Sequence, residues 1–402
     1  MAGLTIPDPR QALMAMLSHA ARHSPYYREQ EWAQHLRKGR AIDFRDIPVT
    51  PKSLVKAQTD KFFSIFVPPE DGKILDKHTS GSTGEPTPVR KTARHFKINA
   101  AEYHRLRNGW RFSDHRRRVR VFSHEEHLRL GTLKEEPLPG GGTQWTIVSV
   151  DSDAVFDLLL RSSATLAIAF PSIIQGVLER SVETSQPLAL QLISTVSELV
   201  PEELRQLVRQ IPGCRLVDLY GCVEAGLIAV QCPLCNAYHP ADRHLVVELV
   251  AEDGQAAKPG EMGRIVVTPL FNGAMPLIRY ETGDYAIERV GNGCPRSNLA
   301  IERILGRERN LFTLPNGSKL VPGLPAGPMW ELGVRRFKLL QTTLSEVQLH
   351  YIPRAGANEI AEPLFQALVD KYLSPILKVR ALRVSDFPRS PSGKYLTHES
   401  LV

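Results

Sequence analysis

Thr79-Ser80-Gly81-Ser82-Thr83-Gly84-Glu85-Pro86 sets small hydroxyl side chains around two glycines and closes on a proline. Glycines leave the backbone amides unshielded, so such a run can turn its N–H groups toward an anion. It lacks the Gly-Lys-Ser/Thr ending that opens a helix in the Walker phosphate loop. The same composition also suits a solvated turn, so the meaning of the stretch depends on what else the chain carries.

At 402 residues the chain exceeds one ordinary domain. Its composition, 42% hydrophobic and 23% charged, is that of a soluble globular protein. No apolar run is long enough to span a bilayer, and residues 1–22 lack the apolar block of a secretory signal. The expectation is a cytoplasmic protein with no membrane partner. A formal charge of +7 admits an anionic partner such as a nucleotide or a thioester cofactor. The dense basic run His115-Arg116-Arg117-Arg118 with Arg120 leads into Val121-Phe122 without interleaved stacking aromatics, which argues against nucleic acid. It reads instead as a solvated edge before a strand.

Apolar residues recur at helical spacing between Asp8 and Arg22, and helix formers fill Thr92 to Arg107. Arg118 to Phe122 reads as a strand and Glu135 to Gly142 as a Pro/Gly turn. From Val155 to Leu219, helical and extended apolar patterns alternate as in strand-helix units of an α/β layer. Short alternating strands separated by turns between 244 and 290 predict a β-rich subdomain. A new mixed segment begins after Gly306, and the domain boundary is placed at 306 to 310.

Four further short motifs follow the loop in order: Tyr220-Gly221-Cys222-Val223-Glu224, Arg279-Tyr280-Glu281-Thr282-Gly283-Asp284, Ile304-Leu305-Gly306-Arg307 and Pro391-Ser392-Gly393-Lys394. Together with residues 79 to 86 they resemble the adenylate-forming superfamily of acyl-CoA synthetases and adenylation domains. Leu17 to Tyr27 and Ala274 to Tyr280 are similar to its phenylacetate-CoA ligase and CapK-like branch. The resemblance implies an α/β fold: a large multi-subdomain N-terminal adenylate-forming domain with a β-rich subdomain, residues 1–306, and a small α+β mobile C-terminal domain, residues 307–402.

The same resemblance implies ATP and Mg²⁺ as cofactors, with a small-molecule carboxylic acid as substrate and coenzyme A as acyl acceptor. Activating a carboxylate with ATP brings two anions together, so amides and cations must absorb charge. Ser80, Gly81, Ser82, Thr83 and Gly84 would grip the β- and γ-phosphates, and Glu224 would help bind Mg²⁺. Asp284 would take both ribose hydroxyls, as a two-oxygen acceptor can. Arg307 would reach the ribose or a phosphate near the hinge, and Tyr220 with Gly221 would lie against adenine. Lys394 would place its charge on the carboxylate–phosphate junction and then be withdrawn as the small domain rotates about Gly306-Arg307. With Glu224 and Thr83 it makes up the expected catalytic set. Phe122, His124 and Cys222 would line the acyl pocket, and branch resemblance points to a compact aromatic acid. One departure stands out: Val223 occupies a position where the family usually has threonine, leaving Cys222 or Thr282 as substitute donors.

Four of the five cysteines lie between 214 and 235. Cys232 and Cys235 share a two-residue spacing, His239 follows four residues later, and Cys294 can complete a tetrahedral Cys₃His zinc site. Four protein ligands leave no open position, so this zinc would be structural; Cys214 reads as packing. Two other readings stay open. The acceptor is an amine, giving an amide, or the chain is a non-catalytic zinc-stabilised nucleotide- or acyl-binding protein impaired by Val223. A homodimer is also admitted.

Overall fold

The first helix, Pro9–His23, begins where the Asp8 carboxylate accepts hydrogen bonds from the amides of Arg10 and Gln11 and a proline takes the first helical position. Its 3–4 spacing buries Ala12, Met16, Leu17, Ala20 and Ala21, as the sequence pattern requires. The structure is a computed structural model and describes residues 7–79, 86–122, 129–138, 141–291, 294, 299–354, 356–357, 360–387 and 397–402. It forms two compact units, Met1–Asp114 with Val217–Ile304, and His115–Leu216 with Leu305–Val402.

In the first unit, antiparallel hydrogen bonding dominates. The strands run in the order Leu245–Val250, Met262–Pro269, Tyr280–Glu288, Ile301–Arg307, Tyr238–Pro240, Gly226–Gln231 and Arg215–Cys222. The β-rich character expected for 244 to 290 is therefore present and extends back to Val217. A separate hairpin pairs Ile74–His78 with Pro88–Thr92, from Ile74 opposite Thr92 to His78 opposite Pro88. At its end the Thr79 amide donates to the Thr87 carbonyl at 3.0 Å, and the Thr87 amide donates to Thr79 Oγ1 at 3.0 Å. The two ends of the hydroxyl-glycine loop are thus fastened to each other by the hairpin register.

The two stretches that resemble the phenylacetate-CoA ligase branch meet in this unit. Tyr27, 1% exposed, accepts from the Ile278 amide at 2.9 Å through its phenolic oxygen. Thr50 Oγ1 donates to the Ile278 carbonyl at 2.8 Å, and His19 Nε2 lies 2.9 Å from the Gly273 carbonyl. These bonds satisfy backbone groups that the strand ladder leaves open beside Arg279.

In the second unit, Leu192–Val196, Leu166–Ala169, Arg117–Phe122 and Thr143–Val148 form a parallel sheet. The helices Ser152–Ser162, Pro171–Thr184 and Glu202–Arg209 supply its apolar cover, the α/β layer expected from the alternation. Leu133–Pro137 pairs antiparallel with Thr143–Val148. This corrects the reading of 135 to 142 as turn only: all five residues of that strand are exposed, so no alternation marks it. The later part of this unit is a sheet ordered Lys378–Arg383, Glu346–Pro353, Val334–Thr343 and His398–Ser400, packed by the helix Glu362–Tyr372. Glu179 receives Arg336 at 2.7 Å and Arg335 at 3.1 Å, which ties the two stretches of this unit together. The chain leaves the first unit for the last time at Ile304. It also crosses between the units after Asp114 and after Leu216.

Candidate active site

Tyr220, Glu224 and Asp284, three of the expected adenylate-site residues, come together in the first unit although the strands that carry them are not neighbours in the sheet. Tyr220 and Cys222 lie on Arg215–Cys222, Glu224 lies in the turn that follows, and Asp284 lies on Tyr280–Glu288. The Tyr220 hydroxyl donates to Asp284 Oδ2 at 2.7 Å. Burial, with the Asp284 charge beside it, pushes the Tyr220 phenol well above its usual value, so it remains a donor. Thr282 Oγ1 accepts from the Asp284 amide at 3.2 Å and donates to the Ile265 carbonyl at 3.0 Å. Thr282 is 2% exposed and its proton is committed, so it cannot stand in for the hydroxyl that Val223 lacks. Cys222 remains; burial, reinforced by Glu224, pushes its thiol up and keeps it neutral.

Glu224, 4% exposed, is held by two groups that sequence reasoning missed. Lys52 Nζ lies 3.0 Å from its Oε1, and the Tyr280 hydroxyl donates to the same oxygen at 2.8 Å. Burial alone would raise this carboxyl; the Lys52 ammonium and the Tyr280 hydroxyl outweigh it and hold the group below the usual carboxylate range. Lys52 opens the helix Lys52–Ala57, where the helix dipole disfavours a cation. That misplacement is the signal that could have singled it out. The Lys52 ammonium also reaches the Thr282 carbonyl at 3.2 Å, so one cation joins the Glu224 and Asp284 neighbourhoods.

Arg279 precedes this strand with φ +46°, a left-handed conformation rare for arginine. Its amide donates to Thr268 Oγ1 at 2.8 Å, and Nη1 donates to the carbonyls of Arg45 at 2.7 Å and Ile47 at 2.5 Å. Its Nη2 pairs with Glu248 at 3.0 Å. These contacts fix a strained residue immediately before Tyr280.

The other expected site residues fall elsewhere. Ser80, Gly81, Ser82, Thr83, Gly84, His124 and Lys394 lie outside the described residues. Phe122 ends the strand Arg117–Phe122 of the second unit, half-buried, with the Arg120 guanidinium 4.9 Å from its ring centre. Arg307 ends Ile301–Arg307 at the start of the second stretch of that unit.

Cys232, Cys235, His239 and Cys294 do converge, with their ligand atoms all within 4.8 Å of one another. Cys232 Sγ lies 3.8 Å from Cys294 Sγ, and Cys235 Sγ lies 3.3 Å from His239 Nε2. Zn–S bonds of about 2.3 Å and Zn–N bonds of about 2.0 Å would give tetrahedral edges of about 3.5–3.8 Å, so the donor set fits zinc. The Leu234 amide donates to Cys232 Sγ at 3.4 Å, and His239 Nδ1 faces the Leu299 carbonyl at 3.3 Å, which orients Nε2 inward. Although burial opposes it, the amides of Leu234 and Cys235 hold the Cys232 thiol below its ordinary value. Cys214 packs against the second unit's core, and burial raises its thiol to about 12.

The model of the AMP-binding enzyme family matches residues 77–269. That span contains the hydroxyl-glycine loop and the Tyr220–Glu224 motif. An indoleacetate–CoA ligase of Aromatoleum aromaticum is 28% identical over 214 residues, 48% of this chain but only 39% of that protein. A phenylacetate-coenzyme A ligase of Thermus thermophilus is 24% identical over 360 residues, covering 83% of this chain and 75% of that one. Among solved structures, a 2-hydroxyisobutyryl-CoA ligase in its postadenylation state superposes with a TM-score of 0.73 at 15% identity, covering 98% of this chain and 88% of the other. An anthranilate CoA ligase bound to anthranoyl-AMP gives 0.59 at 15% identity, covering 79% and 65%. At such identity these two speak for the fold alone. Residues 77–269 thus form an AMP-binding enzyme domain. The two sequence relatives are ligases of indoleacetate and phenylacetate, the branch that Leu17 to Tyr27 and Ala274 to Tyr280 resemble.

Proposed function

We propose that this chain is an ATP-dependent, AMP-forming acid–thiol ligase that activates an aromatic carboxylic acid and transfers its acyl group to coenzyme A. The observation that carries the reading is the joining of Glu224 and Asp284, from separate motifs, through Tyr280, Lys52, Thr282 and Tyr220. In the first half-reaction a carboxylate oxygen attacks the α-phosphorus of ATP and the bond to pyrophosphate breaks. In the second, the coenzyme A thiolate attacks the acyl carbon and AMP leaves.

Asp284 would accept the ribose hydroxyls, steadied by the Tyr220 hydroxyl, whose ring would lie with Gly221 against adenine. Ser80, Gly81, Ser82, Thr83 and Gly84 would hold the β- and γ-phosphates, while Glu224 would carry the Mg²⁺ that offsets their charge. Lys394 would meet the carboxylate–phosphate junction, and Arg307 would contact the nucleotide beside the hinge that moves residues 307–402. Phe122, His124 and Cys222 would border the acyl group. Cys232, Cys235, His239 and Cys294 would bind one structural Zn²⁺. The test is ATP–pyrophosphate exchange over benzoic, phenylacetic, hydroxybenzoic and aminobenzoic acids, followed by coenzyme A or amines with each acid that responds. Exchange abolished by Lys394→Ala, with thioester formed on adding coenzyme A, is the expected result. No exchange with any acid, or amide in place of thioester, would overturn it.

A further inference from the structure

The first unit buries a set of basic and donor groups that the adenylate site does not use. Alternation along Pro88–Thr92 turns Val89 and Lys91 to the buried face, and Lys91 is 4% exposed. Among the described residues no carboxylate hydrogen-bonds it, and Glu224, the nearby acid, is already held by Lys52 and Tyr280. The chain then enters the helix Ala93–Arg107, capped by Thr92, whose hydroxyl oxygen accepts from the His95 amide at 3.2 Å. This first turn buries His95, whose Nε2 has no hydrogen-bond partner among the described residues. Asn99, one turn on and only partly buried, shares that face.

Both side chains converge on the turn that follows the Tyr220–Glu224 motif. A methyl placed on Gly226 would lie 1.8 Å from Asn99 Nδ2 and 3.5 Å from His95 Nε2. His244, 2% exposed, lies near Lys91, with the backbone of Ala241 and Leu227 beside its ring. Unpartnered polar groups at this depth are costly, typically about 1–3 kcal/mol each. A fold retains them where a ligand completes their hydrogen bonds. On the ligase reading the acyl group would begin near Val223 and Glu224, and its far end could follow the half-buried Cys222 toward this floor.

We infer that Lys91, His95 and Asn99, backed by His244, form the specificity floor of the acyl pocket and select an acid whose acyl group carries a second oxygen substituent, anionic or strongly hydrogen-bond-accepting. The inference rests on the ligase reading above for the position of the acyl group. Burial keeps the imidazoles of His95 and His244 neutral and lowers the Lys91 ammonium to about 8, which leaves it mostly charged near neutral pH, so Lys91 supplies the charge and they supply hydrogen bonds. A site built to pair with such an oxygen rejects the analogue that lacks it, because its own groups are then stranded.

The experiment compares phenylacetate with carboxy- and hydroxyphenylacetates in two assays on the full chain: calorimetric binding without ATP, and ATP–pyrophosphate exchange. We expect the favoured substituted acid to exceed phenylacetate at least about 100-fold in kcat/KM. Lys91→Met should lower kcat/KM for that acid at least 30-fold more than for phenylacetate, and His95→Gln should act in the same direction; melting curves verify that both variants fold. Equal use of phenylacetate, or loss of both acids alike in Lys91→Met, would overturn the inference and move the lysine to the reacting carboxylate or the phosphates. A substituted acid that binds through Lys91 without exchange keeps the floor and sinks the ligase reading. Exchange with the plain acid alone does the reverse, and no binding or exchange sinks both.

Discussion

Tyr220→Phe removes a single oxygen and tests whether the motif tyrosine serves the nucleotide through Asp284. The lost bond is short, 2.7 Å, and ends on a carboxylate; hydrogen bonds to charged groups contribute about 1.5–3 kcal/mol. Part of that is recovered, since a carboxylate oxygen released by tyrosine can still accept from the ribose. A residual loss near 1.4 kcal/mol corresponds to about tenfold in affinity. The expected result is a KM for ATP raised about tenfold in the exchange assay, with the loss falling on ATP rather than on the acid. Asp284→Asn should raise it further. Because the two residues act through one bond, the double variant should be less impaired than the two single effects combined. A rise in KM under twofold, or full additivity, would refute the coupling and leave Tyr220 as a ring against adenine alone.

Three further outcomes follow from the first unit. Purified protein should hold about one zinc per chain, and Cys235→Ser should lower both zinc content and melting temperature; less than half an equivalent in unchelated wild type would reject the site. His244 is pushed from 6.5 down to about 4, chiefly by burial, with Glu102 and Lys91 as its charged neighbours. Its contribution is therefore fully present above pH 6.5 and is lost as pH falls toward 4, by up to about 3 kcal/mol; denaturant melts across that window should flatten in His244→Gln, and superimposable profiles would exclude it. A methyl on Gly221 would meet the Gly226 carbonyl at 2.4 Å, so Gly221→Ala should shift the turn carrying Glu224 and lower exchange at least tenfold, whereas wild-type exchange would show that the turn absorbs the methyl.

What could be read from the sequence were the groups whose chemistry is written in a short stretch. Asp284 and Glu224 sit in compact motifs, and the cysteine knuckle is local, so only Cys294 had to be supplied from a distance. The partners that give those residues their properties were not legible. Lys52 carried no motif signal and Tyr280 read only as part of a motif, because a buried ion pair between distant stretches leaves no periodic trace. The strand Leu133–Pro137 was hidden for a related reason: periodicity reports burial, and an edge strand exposed on every residue has none.

The same limit explains how the resemblance could point to whole motifs while saying nothing of their contacts. Tyr27 and Ile278 are separated by most of the first unit, and each stretch resembled the same branch on its own. Only the structure shows that the tyrosine hydroxyl bonds the backbone of the other stretch, one residue before the strained Arg279. That joint fixes where Tyr280–Glu288 begins, and hence where Tyr280 meets Glu224 and Asp284 meets Tyr220. A stretch far from the hydroxyl-glycine loop is thus a constraint on the candidate site around Glu224 and Asp284. Loosening it at Tyr27 would act on Asp284 through the backbone, with no contact between the two side chains required.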